Sequence, residues 1–175
     1  MTLQDKIDKA IRNVPNFPKE GIMFKDITPV LENPELSKEI VEAFVAKVDG
    51  KIDAIAGIES RGFLYGFPVA MALGVPFILI RKKGKLPYKT VSHKYDLEYG
   101  SAEIEMHVDT IKPGMNVLIH DDLLATGGTA VAASELITKQ GGKVAGYSFL
   151  VDLAFLEGAE KLKKYSDKIT SLVSY

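Results

Sequence analysis

Residues 117–130 read VLIHDDLLATGGTA, and their pattern of a strand, two acids, a turn and a helix indicates the class of the fold. Their apolar run predicts a buried strand over 116–120, and two adjacent carboxylates, Asp121 and Asp122, follow that strand directly. Small residues then form a turn, and a helical pattern over 127–140 begins at the glycines. Because ligands of open α/β sheets bind beyond the carboxyl ends of strands, a functional site is expected at this turn.

The alternation of strand and helix continues on both sides of this stretch. Apolar runs predict strands over 52–58, 75–80, 144–151 and 169–173, and helical periodicity predicts helices over 1–12, 34–48, 62–73 and 157–164. This pattern indicates an α/β fold with a parallel sheet that helices cover on both faces. The polar segment 82–100 does not fit the alternation, and its length is typical of a lid or a binding loop.

The turn after the acidic pair has the chemistry of a phosphate site. Residues 126–129 read TGGT, so they offer backbone N–H groups with little side chain in the way, beside the positive end of a helix. The two carboxylates before them are suited to accept hydrogen bonds from sugar hydroxyls. Taken alone, TGGT fits an ordinary helix start with a threonine cap, but the acidic pair favours a sugar-phosphate site. The absence of a Walker loop and of a GxGxxG fingerprint weighs against ATPases and dinucleotide-binding proteins.

A long stretch without acidic residues points to an anionic ligand. Between Ser60 and Tyr95 there is no Asp or Glu, whereas the stretch carries seven cations: Arg61, Arg81, Lys82, Lys83, Lys85, Lys89 and Lys94. Lysines of this kind are often only a solvated surface, which is the alternative interpretation. Arg61 is the stronger candidate because it follows a predicted strand directly, and a guanidinium can bind phosphate through two hydrogen bonds.

Composition excludes several classes of function. The chain has 175 residues and a net charge of -1, which argues against bulk attraction to nucleic acid. It has no cysteine, which excludes disulfides, iron–sulfur clusters and thiol nucleophiles. Its apolar runs are too short to cross a bilayer, and no targeting segment is recognisable. We therefore expect a cytoplasmic protein without nucleic-acid or membrane partners.

Residues 117–130 closely resemble the PRPP-binding motif of the type I phosphoribosyltransferases. Over nearly the whole chain the resemblance is to members of that family that act on adenine. It is carried by residues 16–18 and 21–27, 59–63, 81–87 and 97–100. The resemblance implies one domain over 1–175 with the fold of that family, a small base-binding hood over 1–33 and a mobile catalytic loop over 82–100. It also implies transfer of a phosphoribosyl group from PRPP to adenine, giving AMP and pyrophosphate.

The resemblance assigns a role to each matching residue. Asp121 and Asp122 would bind the ribose hydroxyls, and the 5′-phosphate would lie on Ala125, Thr126, Gly127, Gly128 and Thr129. Pyrophosphate would be neutralised by Arg61, Lys82 and Lys85. Phe24 would stack on adenine opposite Leu153, and the backbone at Met23 and Lys25 would bind the edge of the base. Glu98 would be the catalytic carboxylate of the loop, bonding the base and assisting proton movement.

The resemblance further implies Mg²⁺ that is carried by PRPP, without a dedicated protein site, and a homodimer. Two alternatives remain open at this point. One is a phosphoribosyltransferase for another purine, such as xanthine or hypoxanthine, since the PRPP motif recognises only the shared substrate. The other is a PRPP-sensing regulator built on the same fold.

Overall fold

The chain folds into two units, Met1–Ala46 and Lys47–Tyr175, in the computed structural model, which describes residues 1–97 and 99–175. The first unit contains, in chain order, α1 (Leu3–Ala10), β1 (Arg12–Pro15), β2 (Met23–Asp26), α2 (Thr28–Leu31) and α3 (Pro34–Ala46). Strands β1 and β2 form an antiparallel pair that the sequence did not predict. Both predicted helices of this unit, α1 and α3, are confirmed.

Local sequence explains where these two helices begin. Thr2 and Asp5 form a reciprocal capping box at the start of α1, which satisfies backbone donors that the first turn leaves unpaired. The Asn33 side chain accepts a hydrogen bond from the N–H of Leu36 at the start of α3. The buried residues of α3 are Leu36, Ile40 and Phe44, a spacing that places them on one helix face.

The second unit is built on a seven-stranded sheet. Its elements are β3 (Ala54–Ile58), α4 (Gly62–Leu73), β4 (Phe77–Lys82), β5 (Thr90–Asp96), β6 (Ser101–His107), β7 (Asn116–Leu124), α5 (Gly128–Lys139), β8 (Lys143–Asp152), a 3₁₀ turn (Ala154–Leu156), α6 (Gly158–Leu162) and β9 (Ile169–Ser174). The strand order is β5-β6-β4-β3-β7-β8-β9. Five neighbouring strands, β4, β3, β7, β8 and β9, are parallel. Strand β6 pairs with β4 in antiparallel sense, and β5 pairs with β6 in the same way. The predicted α/β class with a mostly parallel sheet is confirmed.

The apolar runs of the sequence are the centre of this sheet. Every residue of β3 is buried, as expected for a strand that is covered on both faces. The core around it is formed by Ile, Val, Leu and Ala side chains of β3, β4, β7 and α5, together with Tyr147 and Phe149 of β8. The packed core therefore fixes the positions of the residues at the carboxyl ends of β3 and β7.

Two predictions about strands need correction. The strand predicted to end before Asp121 continues to Leu124, because Leu123 and Leu124 pair with Val151 and Asp152 of β8. Segment 82–100, predicted as a long connection, contains β5, which pairs with β6. Strand β5 is at the edge of the sheet and has no apolar run, so its sequence lacked the signal of a buried strand. In the described part of the chain, no helix is long and apolar enough to span a membrane.

Candidate active site

The acidic pair lies at the carboxyl end of β7, beside the start of α4. A Cβ atom on Gly62 would lie 2.9 Å from the carbonyl oxygen of His120 and 3.0 Å from Oδ1 of Asp121. Only glycine therefore lets α4 begin this close to β7. The close approach brings the residue before it, Arg61, to the acidic pair.

Arg61 and Asp122 form an ion pair, with 2.7 Å between Nε and Oδ2. Asp122 is only 5% exposed, whereas 49% of the Arg61 side chain is accessible. The backbone N–H of Asp122 also donates to Oδ1 of Asp121 at 2.8 Å. The pair thus presents two carboxylates and one partly exposed guanidinium to the same space.

The electrostatics of the acidic pair favour a ligand that donates hydrogen bonds. Burial raises the pKa of Asp121 well above its usual range, and the neighbouring charge of Asp122 raises it further, against the opposing effect of Arg61. Two full negative charges are therefore costly here unless donors approach them. Ribose hydroxyls are such donors.

The turn after β7 is shaped by backbone contacts with α6. Gly127 has φ of +84° and precedes the first residue of α5. A Cβ atom on it would lie 2.7 Å from the carbonyl oxygen of Gly158. The cap of this helix is therefore Gly127 and not a threonine side chain. The first N–H groups of a helix have no partner inside it, so they remain available to an anion.

Two cavities share this edge of the sheet. The smaller one, of about 90 Å³, is lined by the turn and the helix start, including every residue from Ala125 to Thr129. The larger one, of about 500 Å³, is lined by the start of α5 and by residues that belong to or follow five different strands, among them Glu59, Ser60, Arg61, Lys82, Tyr95, Asp121, Asp122 and Thr129. Asp121 and Thr129 line both cavities. Of the predicted pyrophosphate residues, Arg61 and Lys82 line the larger cavity, whereas Lys85 is not among its described lining residues.

Glu59 holds the start of the basic segment against the end of β3. Its carboxylate accepts from the backbone N–H of Lys82 at 2.7 Å and from Nη2 of Arg81 at 3.2 Å. Arg81 in turn donates from Nη1 to the carbonyl of Lys85 at 3.0 Å. Burial by itself would raise the pKa of Glu59, but the bonds from Lys82 and Arg81 lower it below its usual value. Glu59 therefore stays charged and fixes the backbone that carries Lys82.

A second carboxylate, that of the buried Glu105 of β6, accepts hydrogen bonds from the segment that follows Lys82. It is 2% exposed and accepts from the N–H groups of Gly84 and Leu86, both at 3.0 Å, and from the Thr90 hydroxyl at 3.1 Å. Lys83 Nζ lies 3.5 Å from its Oε2. Burial would raise the pKa of Glu105, but these bonds and the Lys83 charge lower it. Residues 82–90 are thus folded around one buried charge.

The predicted base-binding residues belong to both units. In the first unit, Met23 is exposed, and the Phe24 ring lies edge-to-face with Phe17 at 5.0 Å between centroids. The Lys25 side chain donates from Nζ to Asn13 at 2.7 Å, across the β1–β2 pair. In the second unit, Leu153 follows β8, and its N–H donates to the carbonyl of Leu124 at 2.9 Å.

The predicted catalytic Glu98 lies outside the described residues. Its role stays a prediction. The strand ends that flank it, Asp96 and Ser101, are paired across β5 and β6. Among the described residues, no group of three His, Asp or Glu side chains is arranged to hold a metal ion.

Comparison with known proteins gives the family. Residues 27–173 match the family model of the phosphoribosyl transferase domain. The chain is 52% identical to the adenine phosphoribosyltransferase of Cytophaga hutchinsonii over 174 aligned residues. The alignment covers 99% of this chain and 96% of that protein. The chain belongs to the adenine phosphoribosyltransferase family.

Solved structures of the family have the same fold. The adenine phosphoribosyltransferase of Thermoanaerobacter pseudethanolicus is 47% identical, with a TM-score of 0.94 over 99% of this chain and 100% of that chain. The enzyme from Saccharomyces cerevisiae, 41% identical, has a TM-score of 0.90 over 97% of this chain and 98% of its own. That structure is a complex with adenine and an imino-altritol bisphosphate. The predicted family and fold are therefore confirmed.

Three residues of this family member's site have no role in the predictions from sequence. Glu59 and Glu105 accept hydrogen bonds from the backbone of the basic turn, residues 82–90, and Tyr95 lines the larger cavity. One signal could have indicated the carboxylates indirectly, because a stretch with seven cations and no acids can also attract acids from elsewhere in the chain. No local pattern identified which acids supply them.

Proposed function

We propose that this protein transfers the phosphoribosyl group of PRPP to adenine, forming AMP and releasing pyrophosphate. The observation that carries the proposal is the meeting of an acidic pair, a guanidinium and a glycine turn at two cavities that share Asp121 and Thr129. This arrangement offers one site for a phosphate, one for a ribose and one for a second anionic group. Family membership supports adenine as the acceptor.

The 5′-phosphate is bound by the turn from Ala125 to Thr129. Backbone N–H groups and the helix dipole of α5 favour a dianion at this point, and the threonine hydroxyls add donors. Asp121 and Asp122 accept hydrogen bonds from the ribose hydroxyls. Because Asp122 is buried, ribose hydroxyls bind its carboxylate more strongly than they would in water.

Pyrophosphate leaves toward the cations at the ends of β3 and β4. Arg61 and Lys82 line the larger cavity, and Lys85 follows on the same turn. In the reaction the bond from ribose C1 to a pyrophosphate oxygen breaks and a bond from C1 to an adenine nitrogen forms. The cations stabilise the negative charge that develops on the departing oxygen.

The base-binding roles remain proposals for each unit separately. In the first unit Phe24 supplies a ring face for stacking, while the backbone of Met23 and Lys25 supplies donors and acceptors for the base. The side chain of Lys25 is already bonded to Asn13, which supports a backbone role. In the second unit Leu153 supplies an apolar contact. Glu98 assists removal of the proton that adenine loses when the new bond forms.

The residues at the cavity fit a Mg²⁺ ion that is bound mainly by PRPP. Mg²⁺ in proteins takes one or two carboxylates together with substrate phosphate oxygens and water. Asp121 and Asp122 are carboxylates at the cavity, and Asp122 is already paired with Arg61. When bound, the ion would neutralise charge on the pyrophosphate group of the substrate.

We also propose that the protein is a cytoplasmic homodimer. Helix α4 has no charged residue and exposes Leu64, Phe67 and Met71, which are 43%, 52% and 65% accessible. Their spacing places them along one side of the helix. A second copy of the chain is the occupant that the family resemblance implies for this apolar surface.

The decisive experiment is AMP formation from adenine and PRPP by the purified protein. Hypoxanthine, guanine and xanthine serve as competing acceptors in the same assay. We expect AMP with adenine and little product with the other bases. A higher kcat/KM for another purine would replace the acceptor in the proposal, and no product with any base would refute the proposal.

The variant Asp122→Asn tests the ribose assignment. We expect a 10- to 150-fold lower kcat/KM for PRPP, about the range expected for hydrogen bonds to a charged group. Asp109→Asn is the matched control, because Asp109 is exposed and lies outside the cavity lining. Unchanged PRPP kinetics in Asp122→Asn would refute the assignment.

A further inference from the structure

Tyr95 connects strand β5 with the phosphate turn. It lies near the end of β5, opposite Ala102 of β6, and packs against the hydrophobic core. Its side chain lines the larger cavity together with Arg61, Asp121 and Asp122. A tyrosine in this place combines a ring that is held by packing with a hydroxyl directed toward polar neighbours.

The Tyr95 hydroxyl is hydrogen-bonded to Thr129. The two oxygens are 3.2 Å apart, and either can be the donor. The ring itself reaches the first residue of α5, because a Cβ atom on Gly128 would lie 4.0 Å from Cδ2 of Tyr95. Tyr95 is therefore in contact with the helix start at which the 5′-phosphate is proposed to bind.

We infer that Tyr95 is a positioning residue for the 5′-phosphate, acting through Thr129. The Tyr95 hydroxyl donates to Oγ1 of Thr129, so that the Thr129 hydroxyl proton is directed to a phosphate oxygen. A chain of two hydroxyls polarises its last donor, which strengthens the bond to an anion. This inference rests on the proposed function, since it assigns a residue to the phosphate site of that reaction.

The same bond links phosphate binding to the segment proposed as the catalytic loop. Tyr95 belongs to residues 82–100, whereas Thr129 is the second residue of α5, directly after the turn that follows β7. When the Thr129 hydroxyl donates its proton to a phosphate, its oxygen is left as an acceptor. The Tyr95 hydroxyl then donates to that oxygen, so the bond between the two residues is kept. Phosphate at the turn therefore favours the position of β5 that the structure shows.

The test uses Tyr95→Phe, which keeps the ring and removes only the hydroxyl. We expect the dissociation constant for ribose 5-phosphate, measured by calorimetry, and the KM for PRPP to rise about fivefold to tenfold, as for loss of one hydrogen bond. The KM for adenine should not change. Tyr165→Phe is the matched control, because its hydroxyl bonds to Glu135 and not to the phosphate turn.

A double-mutant cycle with Thr129→Val separates positioning from packing. If Tyr95 acts through Thr129, the double variant should bind ribose 5-phosphate no more weakly than Thr129→Val alone. Additive losses, or an unchanged affinity in Tyr95→Phe, overturn the inference. A wild-type protein that makes no AMP overturns the proposed function instead. The ribose 5-phosphate titration still decides the role of Tyr95 in that case, because it needs no turnover.

Discussion

The guanidinium of Arg61 is bonded to the carboxylate of Asp122, with Nε 2.7 Å from Oδ2. The residue proposed for pyrophosphate is thus coupled to a residue proposed for ribose. A guanidinium is a planar fork with N–H donors on three nitrogens, of which Nε makes this bond. One side chain can therefore hold the acidic pair and a phosphate at the same time.

Arg61→Lys should separate these two tasks. A lysine ammonium is a single point charge, so it cannot reproduce the fork. We expect kcat/KM for PRPP to fall by about 10- to 100-fold, the size expected for lost charge-assisted bonds. The control Lys89→Ala removes an exposed cation of the same basic stretch. If only diffuse positive charge mattered, Arg61→Lys would keep its kcat/KM for PRPP and Lys89→Ala would lose more, and that result would contradict the role of the fork.

Glu98 variants test the proposed catalytic carboxylate. Glu98→Ala should lower kcat by roughly 100-fold or more, the range of a general acid or base, with little change in KM for PRPP. Glu98→Gln keeps a hydrogen-bonding group, so its kcat reports whether ionisation is needed. Steady-state kinetics with adenine is the measurement. Wild-type turnover in both variants would remove Glu98 from the chemistry.

Glu105→Gln should loosen the basic turn. An amide offers only one acceptor oxygen, and its NH₂ group would face the donors that Glu105 now binds from Gly84, Leu86 and Thr90. We expect the free energy of unfolding in urea to fall by about 1–3 kcal/mol, together with a higher KM for PRPP.

Glu103→Gln is the matched control for that change. Glu103 lies on the same strand and accepts one bond from the Ser92 hydroxyl, at 2.6 Å. The expected loss in its free energy of unfolding is about 1 kcal/mol or less, because one acceptor oxygen remains. If the two variants lose equal stability, the buried charge of Glu105 has no special part in the turn.

His120 should make stability depend on pH. Burial lowers the pKa of this imidazole to about 3, so the folded state does not take up the proton that the unfolded state binds below about pH 6.5. Stability is therefore lost as pH falls. Between pH 7 and pH 5 the wild type should lose about 2 kcal/mol more than His120→Asn. Urea unfolding at both pH values checks this, and parallel losses would contradict it.

Met71→Glu tests the proposed dimer surface on α4. Met71 is 65% exposed, so a charge is tolerated in a monomer but is buried at a cost in a dimer. Sedimentation should show a dimer for the wild type and a monomer for this variant at micromolar concentration. Val108→Glu places the same charge on an exposed apolar position outside α4 and should remain dimeric. If Met71→Glu is still a dimer, the interface is not formed by this surface of α4.

The parts of this fold that the sequence predicts well are those with a strong apolar period. Strands β3 and β8 lie inside the sheet and are mostly buried, and their apolar patterns follow from that burial. Strand β5 is an edge strand with half-buried polar residues, so nothing in its composition distinguishes it from a loop. The β1–β2 pair was missed because four residues per strand are too few to establish a period.

The site divides along a similar line. The acidic pair and the glycine turn are consecutive in sequence, so a local motif was enough to predict them. Glu105 accepts from Gly84, which lies 21 positions earlier in the chain. Tyr95 bonds to Thr129, which lies 34 positions later. Contacts of this range depend on the order of strands in the sheet. That order was not readable from the residues themselves.

The close approach of Gly127 to the Gly158 carbonyl limits how this sugar-phosphate motif can be engineered. A side chain at either glycine would collide with backbone of the other segment: Gly127 with Gly158, and Gly158 with Ala125. Residues 121–129 are therefore not transferable to another scaffold by themselves. A successful graft must also bring the start of α6, with a glycine retained at its first position.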